Sequence, residues 1–147
     1  MDSLDIWSET FEKQCHLRDQ HAHVIELQQQ CVEEACNRLE AMQTELKKAR
    51  FSLGRAQTAY AEFVREMSAV SFPPRIMYDE LHSRRNKVAE RTRAVTACEQ
   101  QSVELEKTAD DAQEQLAFDQ DQQQRILAEL TTITKRIEQL SANTLKS

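Results

Sequence analysis

Residues 63–81 read FVREMSAVSFPPRIMYDEL, and the two consecutive prolines in this stretch interrupt an otherwise helix-favouring chain almost at its midpoint. Pro73 pushes Phe72 out of helical geometry, and Pro74 does the same to Pro73. Together they remove two backbone donors. A helix arriving from the N-terminal side should therefore end near Val70. Pro74 suits the first turn of a second helix, where a missing N–H costs nothing. The interruption Ser71-Phe72-Pro73-Pro74-Arg75 thus divides the chain into two arms, about 3–70 and 75–144.

Each arm carries a heptad stripe. Stepping alternately by three and four from Leu4 gives 20 positions to Val70, of which all but Gln14, Arg18, His21 and Gln28 are apolar. With 39% of the chain hydrophobic, about eight would be apolar by chance, so this is a coiled-coil seam. It is unbroken from Val32 to Val70. The same stepping from Met77 to Thr144 meets polar residues at Arg84, Arg91, Ser102, Asp119, Gln123 and Thr144, and is strongest from Ile126 to Leu140.

Composition agrees. The 147 residues include 1 Gly, 2 Pro and 5% aromatics. Sheets and α/β folds rely on turns rich in such breakers, whereas Gln, Glu, Ala, Leu, Lys and Arg favour helix. The expected fold is all-α: one coiled-coil domain spanning 1–147, folded as a long antiparallel two-helix hairpin. At 1.5 Å per residue each arm would be about 105 Å long. A kinked parallel dimer is the competing arrangement, because the two stripes keep one heptad phase across the break.

In a hairpin, opposed positions should sum to roughly 147. Ala35 then faces Ala112, and Ala49 faces Cys98, which allows close approach. Gln28 faces Asp119, with Gln123 one turn away, and both arms turn polar at this level. Such a polar layer fixes register. Gly54, beside Leu53 in a strong stretch of seam, is either a tolerated helix glycine costing about 1 kcal/mol or a place for close approach of a partner.

Charge is uneven. The net charge is −6, yet residues 47–93 hold 11 bases and five acids, leaving the remainder strongly acidic. Residues 99–121 hold eight acids against Lys107. These are either solvated flanks or a polarity that orients the molecule on a charged partner. Arg84 and Arg91 stand at seam positions, so either their stems snorkel outward or acidic groups of a partner meet them. The acidic balance disfavours nucleic acid. A nucleic-acid-binding arm using Arg84, Arg85, Arg91 and Arg93 remains an alternative, although from Arg75 to Arg93 Tyr78 is the one aromatic between the bases.

No residue constellation points to catalysis, a cofactor or a metal. His21 and His23 diverge around a helix, as do Cys31 and Cys36, and Cys15-His16 with His21 lacks zinc spacing. There is neither a Gly-rich phosphate loop nor a nucleophile elbow. A thin two-helix layer offers no enclosed pocket for acid–base chemistry. No apolar run reaches the roughly 18 residues of a membrane span. The start MDSLDIW lacks the pattern of a signal peptide, and four irregularly spaced cysteines fit a reducing compartment. The expectation is a soluble intracellular protein that is not an enzyme.

Two apolar clusters are the candidate partner-binding sites. Trp7 and Phe11, with Leu4, crowd the N-terminal end and would meet Leu140 and Leu145, either capping the coiled coil or anchoring a partner. Phe72, Ile76, Met77 and Tyr78 gather beside the prolines, rimmed by Arg75, Arg84 and Arg85. The expected role is a coiled-coil scaffold or adaptor subunit that binds other helical proteins, with self-association also allowed.

The two near-equal arms, together with Ala56-Gln57-Thr58-Ala59-Tyr60-Ala61-Glu62-Phe63-Val64-Arg65-Glu66 before the break, resemble the stalk proteins of type III secretion and flagellar export ATPases (the FliJ, YscO and HrpO group). The likeness covers the whole layout and about a dozen residues in detail. It implies a hairpin whose paired termini insert into an ATPase ring and regulate it.

Overall fold

The computed structural model describes residues 3–146. It contains two helices, α1 (Ser3–Ser68) and α2 (Arg75–Lys146), and no strand among the described residues. They form the expected helical hairpin. Contacts cluster into two units, each built from a segment of both helices. The terminal unit comprises Met1–Glu34 with Asp110–Ser147, and the loop unit comprises Ala35–Ala109.

The connection is short, and its backbone groups are used locally. α1 stops at Ser68, two residues before the expected Val70. Its last turn tightens as Ala69 and Val70 donate to the carbonyls of Glu66 and Met67, both at 3.2 Å. Such three-residue bonds satisfy carbonyls that a helix end leaves free. The Ser68 hydroxyl also donates back to the Val64 carbonyl at 2.7 Å. Pro74 lies just before Arg75, and its carbonyl accepts the Met77 amide at 2.9 Å, opening α2.

The heptad stripe is the buried surface in both units. Of its forty positions, only Val70, Arg91 and Thr144 are exposed; the rest are half-buried or buried. A single chain therefore covers its own seam, which a kinked parallel dimer would need a second copy to do. In the loop unit the buried apolar residues are Ala35, Phe63, Val95 and Ala109. In the terminal unit they are Ile126, Leu130 and Ile133. Among the described residues no side chain in either unit is completely enclosed. Two helices shield each other on one side only, so a half-buried leucine here contributes only a fraction of the ~1.5–3 kcal/mol of full burial.

Cross-helix contacts establish antiparallel pairing inside each unit. In the loop unit Arg50 Nη2 lies 3.3 Å from Glu99 Oε1, and Arg84 reaches Ala59 and Phe63 on α1. The Arg84–Phe63 pair lies on the expected sum of 147, and the Arg50–Glu99 pair within two of it. In the terminal unit Gln123 Nε2 donates to the Arg18 carbonyl at 3.2 Å.

Candidate functional site

A closed seam places any partner surface outside it, so the site is sought among the groups the hairpin leaves in water. Around the connection, Phe72 is 92% exposed and Ile76 75%. Val70 and Tyr78 are also exposed, as are Arg75, next to Ile76 in the chain, and Arg85, one heptad beyond Tyr78 on α2. The prolines cause this. They hold Ser71–Pro74 off helical geometry, so Phe72 has no facing helix to cover it. Met77 and Leu81 turn inward; Leu81 lines a shallow depression with Val64, Met67, Pro73 and Tyr78. The loop cluster expected from sequence thus divides into an inward half that closes the seam and an outward half, Phe72, Ile76 and Tyr78.

The seam arginines, seven residues apart, have different fates. Arg84 is spent inside the hairpin. Its Nε donates to Glu80 Oε1 at 2.9 Å, and its Nη1 donates to the Ala59 carbonyl at 2.9 Å. Its guanidinium lies 4.7 Å from the centre of the Phe63 ring, within cation–π range. Its stem snorkels along the seam as the sequence allowed, and the charge is met by its own chain. Arg91 faces the small Ala56 in the same register, finds no aromatic to lie on, and is exposed. Arg85 and Arg93 are exposed as well.

Arg91 belongs to a groove on the loop unit that the sequence reading had not assembled. Phe51, Ser52, Arg55, Ala56 and Ala59 line it from α1, and Lys87 and Arg91 from α2. It contains three cations and no carboxylate. Lys87 and Arg91 make no ion pair, and Arg55 is engaged only with the Phe51 ring, 6.0 Å from its centre. Phe51 is 69% exposed. A second shallow groove adjoins it along α1, lined by Phe51, Gly54, Arg55, Thr58, Ala59 and Glu62. A Cβ placed on Gly54 would meet nothing within 4 Å. Internal packing therefore does not require this glycine. The signal for this surface was present as the base run 47–93, but Phe51 lies outside the heptad stripe and was not singled out.

In the terminal unit, Trp7 and Phe11 are half-buried seam residues. Trp7 lines a depression with Thr10 and Gln14 on α1 and Ala128, Glu129, Thr132 and Ile133 on α2. Trp7 thus closes the seam against the stretch from Ala128 to Ile133 and not against Leu145, which is 89% exposed. The polar seam residues lie here too, but no hydrogen bond joins Gln28 to Asp119 as a register sum of 147 would have it: the cross-helix bond is Gln123 to the Arg18 carbonyl, a sum of 141. Asp119 is buried at 6% exposure, and its Oδ1 accepts from Gln115 Nε2 at 3.1 Å. Its Oδ2 has no protein partner, nor do Gln14 Oε1, His21 Nδ1 and Gln123 Oε1.

None of the four cysteines forms a disulfide; Cys31 is exposed and Cys15, Cys36 and Cys98 are half-buried. Among the described residues no group of three or more His, Cys, Asp or Glu is placed to hold a metal. Among the same residues no helix is long and apolar enough to cross a membrane. No family model, curated protein or solved structure matches the chain.

Proposed function

We propose that this chain is a non-enzymatic coiled-coil subunit whose work is binding other proteins: the seam holds the hairpin closed, and partners dock on what lies outside it. The outward half of the loop cluster supports this reading most. Leaving Phe72 and Ile76 in water costs burial worth about 1.5–3 kcal/mol apiece, and large exposed apolar groups with a basic rim mark interaction sites. The site takes a helical partner that covers Phe72, Ile76 and Tyr78 and presents acidic groups to Arg75 and Arg85.

The test is a matched pull-down from the protein's own cells with the full chain and with Phe72→Ser/Ile76→Ser. Both residues are outside the seam, so the variant should melt with the parent. Loss of specific partners from the variant supports the reading. An identical set on both proteins contradicts it. Recovery of an export ATPase among the lost partners would narrow the role to a stalk.

A further inference from the structure

We propose that the groove formed by Phe51, Arg55, Lys87 and Arg91 in the loop unit docks an acidic amphipathic helix from a partner protein. This rests on reading the chain as an interaction subunit, but it uses a surface distinct from Phe72 and Ile76. Arg55, Lys87 and Arg91 converge on one groove whose lining has no carboxylate. Lys87 and Arg91 have no ion pair, although ten acids lie within the same unit. Three of the unit's 13 bases are in ion pairs, Lys48 with Glu45, Arg50 with Glu99 and Arg84 with Glu80; what sets Arg55, Lys87 and Arg91 apart is that they line one groove together. Three neighbouring cations repel one another, and an occupant with carboxylates relieves this.

The groove is also shallow and partly apolar. Ser52, Ala56 and Ala59 floor the groove, and Phe51 stands at its edge with most of its surface in water. The bare backbone at Gly54 extends the shallow surface along α1. A backbone can approach closely over residues this small, and the apolar stripe of an incoming helix would cover Phe51. Carboxylates three, four or seven residues apart on that helix share a face. They would reach Lys87 and Arg91, which are four residues apart on α2. A nucleic-acid strand satisfies the charges but leaves the apolar floor uncovered. One face of the Phe51 ring is already taken by Arg55, which leaves less of it for base stacking.

The experiment uses the full chain and three probes: a synthetic amphipathic helix carrying Leu and Glu, the same peptide with each Glu replaced by Lys, and a single-stranded oligonucleotide. The Glu peptide should bind and the Lys peptide should not. Arg55→Glu/Lys87→Glu/Arg91→Glu should weaken the Glu peptide by at least about tenfold. Phe51→Ala and Gly54→Leu leave the charge unchanged, and each should weaken it severalfold while thermal stability stays at or above the parent for Gly54→Leu. Phe72→Ser/Ile76→Ser should bind the peptide as the parent does, so failure here is distinguishable from failure at the loop cluster. Absence of Glu-peptide binding overturns the proposal. So does binding indifferent to Phe51→Ala and Gly54→Leu, or preference for the oligonucleotide over the peptide.

Discussion

The terminal and loop units both place charged or polar residues in a seam that should be apolar, and they differ in what becomes of them. In the loop unit the intruder is Arg84. Its long stem stays in the seam while the guanidinium reaches Glu80, the Ala59 carbonyl and the Phe63 ring. In the terminal unit the intruder is Asp119. Its side chain is too short to leave, and one carboxylate oxygen has no protein partner. The difference teaches that side-chain reach decides whether a seam charge stabilises or destabilises. A snorkelling cation keeps its packing and satisfies its donors. A short buried anion carries a desolvation cost that one hydrogen bond offsets only in part. The units also differ in charge: 13 bases against 10 acids in Ala35–Ala109, and 6 bases against 15 acids in the remainder.

The strongest way to break the comparison is to hollow each unit separately. Phe63→Ala removes a buried ring and the surface on which Arg84 lies, and should cost about 3 kcal/mol. Leu130→Ala should cost about 2–3 kcal/mol. Hydrogen exchange should locate the damage: amides of 35–109 exchange faster in the first variant, and those flanking Leu130 in the second. Uniform acceleration in both would show that the two units do not differ in local stability.

A smaller effect sharpens the contrast by its sign. Arg84→Leu should destabilise by about 1–2 kcal/mol, because it gives up the bond to Ala59 and the contact with Phe63. Asp119→Leu should stabilise by a similar amount, because an apolar residue suits that buried position. Urea melts of the two variants read this directly, and a shared sign would remove the distinction drawn above.

How far the sequence revealed these outcomes depends on the kind of residue. The seam was legible because a repeat of three and four is local and needs no knowledge of the partner helix; the hydrophobic stripe and the Pro73-Pro74 break specify two helices. Arg84 and Arg91 were not separable in this way. They have the same type and the same seam position, and what distinguishes them is Phe63 opposite one and Ala56 opposite the other. That requires the register, which is a tertiary property. Phe51 was harder still. It falls outside the stripe, and only folding places it beside Arg55, Lys87 and Arg91. For Gly54 the sequence allows either a tolerated helix glycine or close approach of a partner, and the open space above it leaves internal packing out of the choice.

Two finer predictions concern the loop unit alone. Gly54→Ala should raise stability by about 0.5–1 kcal/mol, since its new methyl meets nothing and helix propensity improves; a loss on thermal denaturation would mean that α1 is closely packed there. Arg50→Gln should change stability by less than about 0.5 kcal/mol, because the side chains of the Arg50–Glu99 pair are 58% and 49% exposed. A larger change in a salt-dependence series would give surface charge a weight in this unit that the present account does not.

The central claim is that the seam closes within one chain, which frees the outward faces for partners. Spin labels at positions 50 and 99 in a cysteine-free background test it most directly. A hairpin gives one short distance that persists when labelled protein is diluted with excess unlabelled protein. In a parallel arrangement the same sites, 49 residues apart, would stand about 70 Å apart along the helix at 1.5 Å per residue. A long distance, or a short one that vanishes on dilution, would contradict the hairpin and every partner surface derived from it.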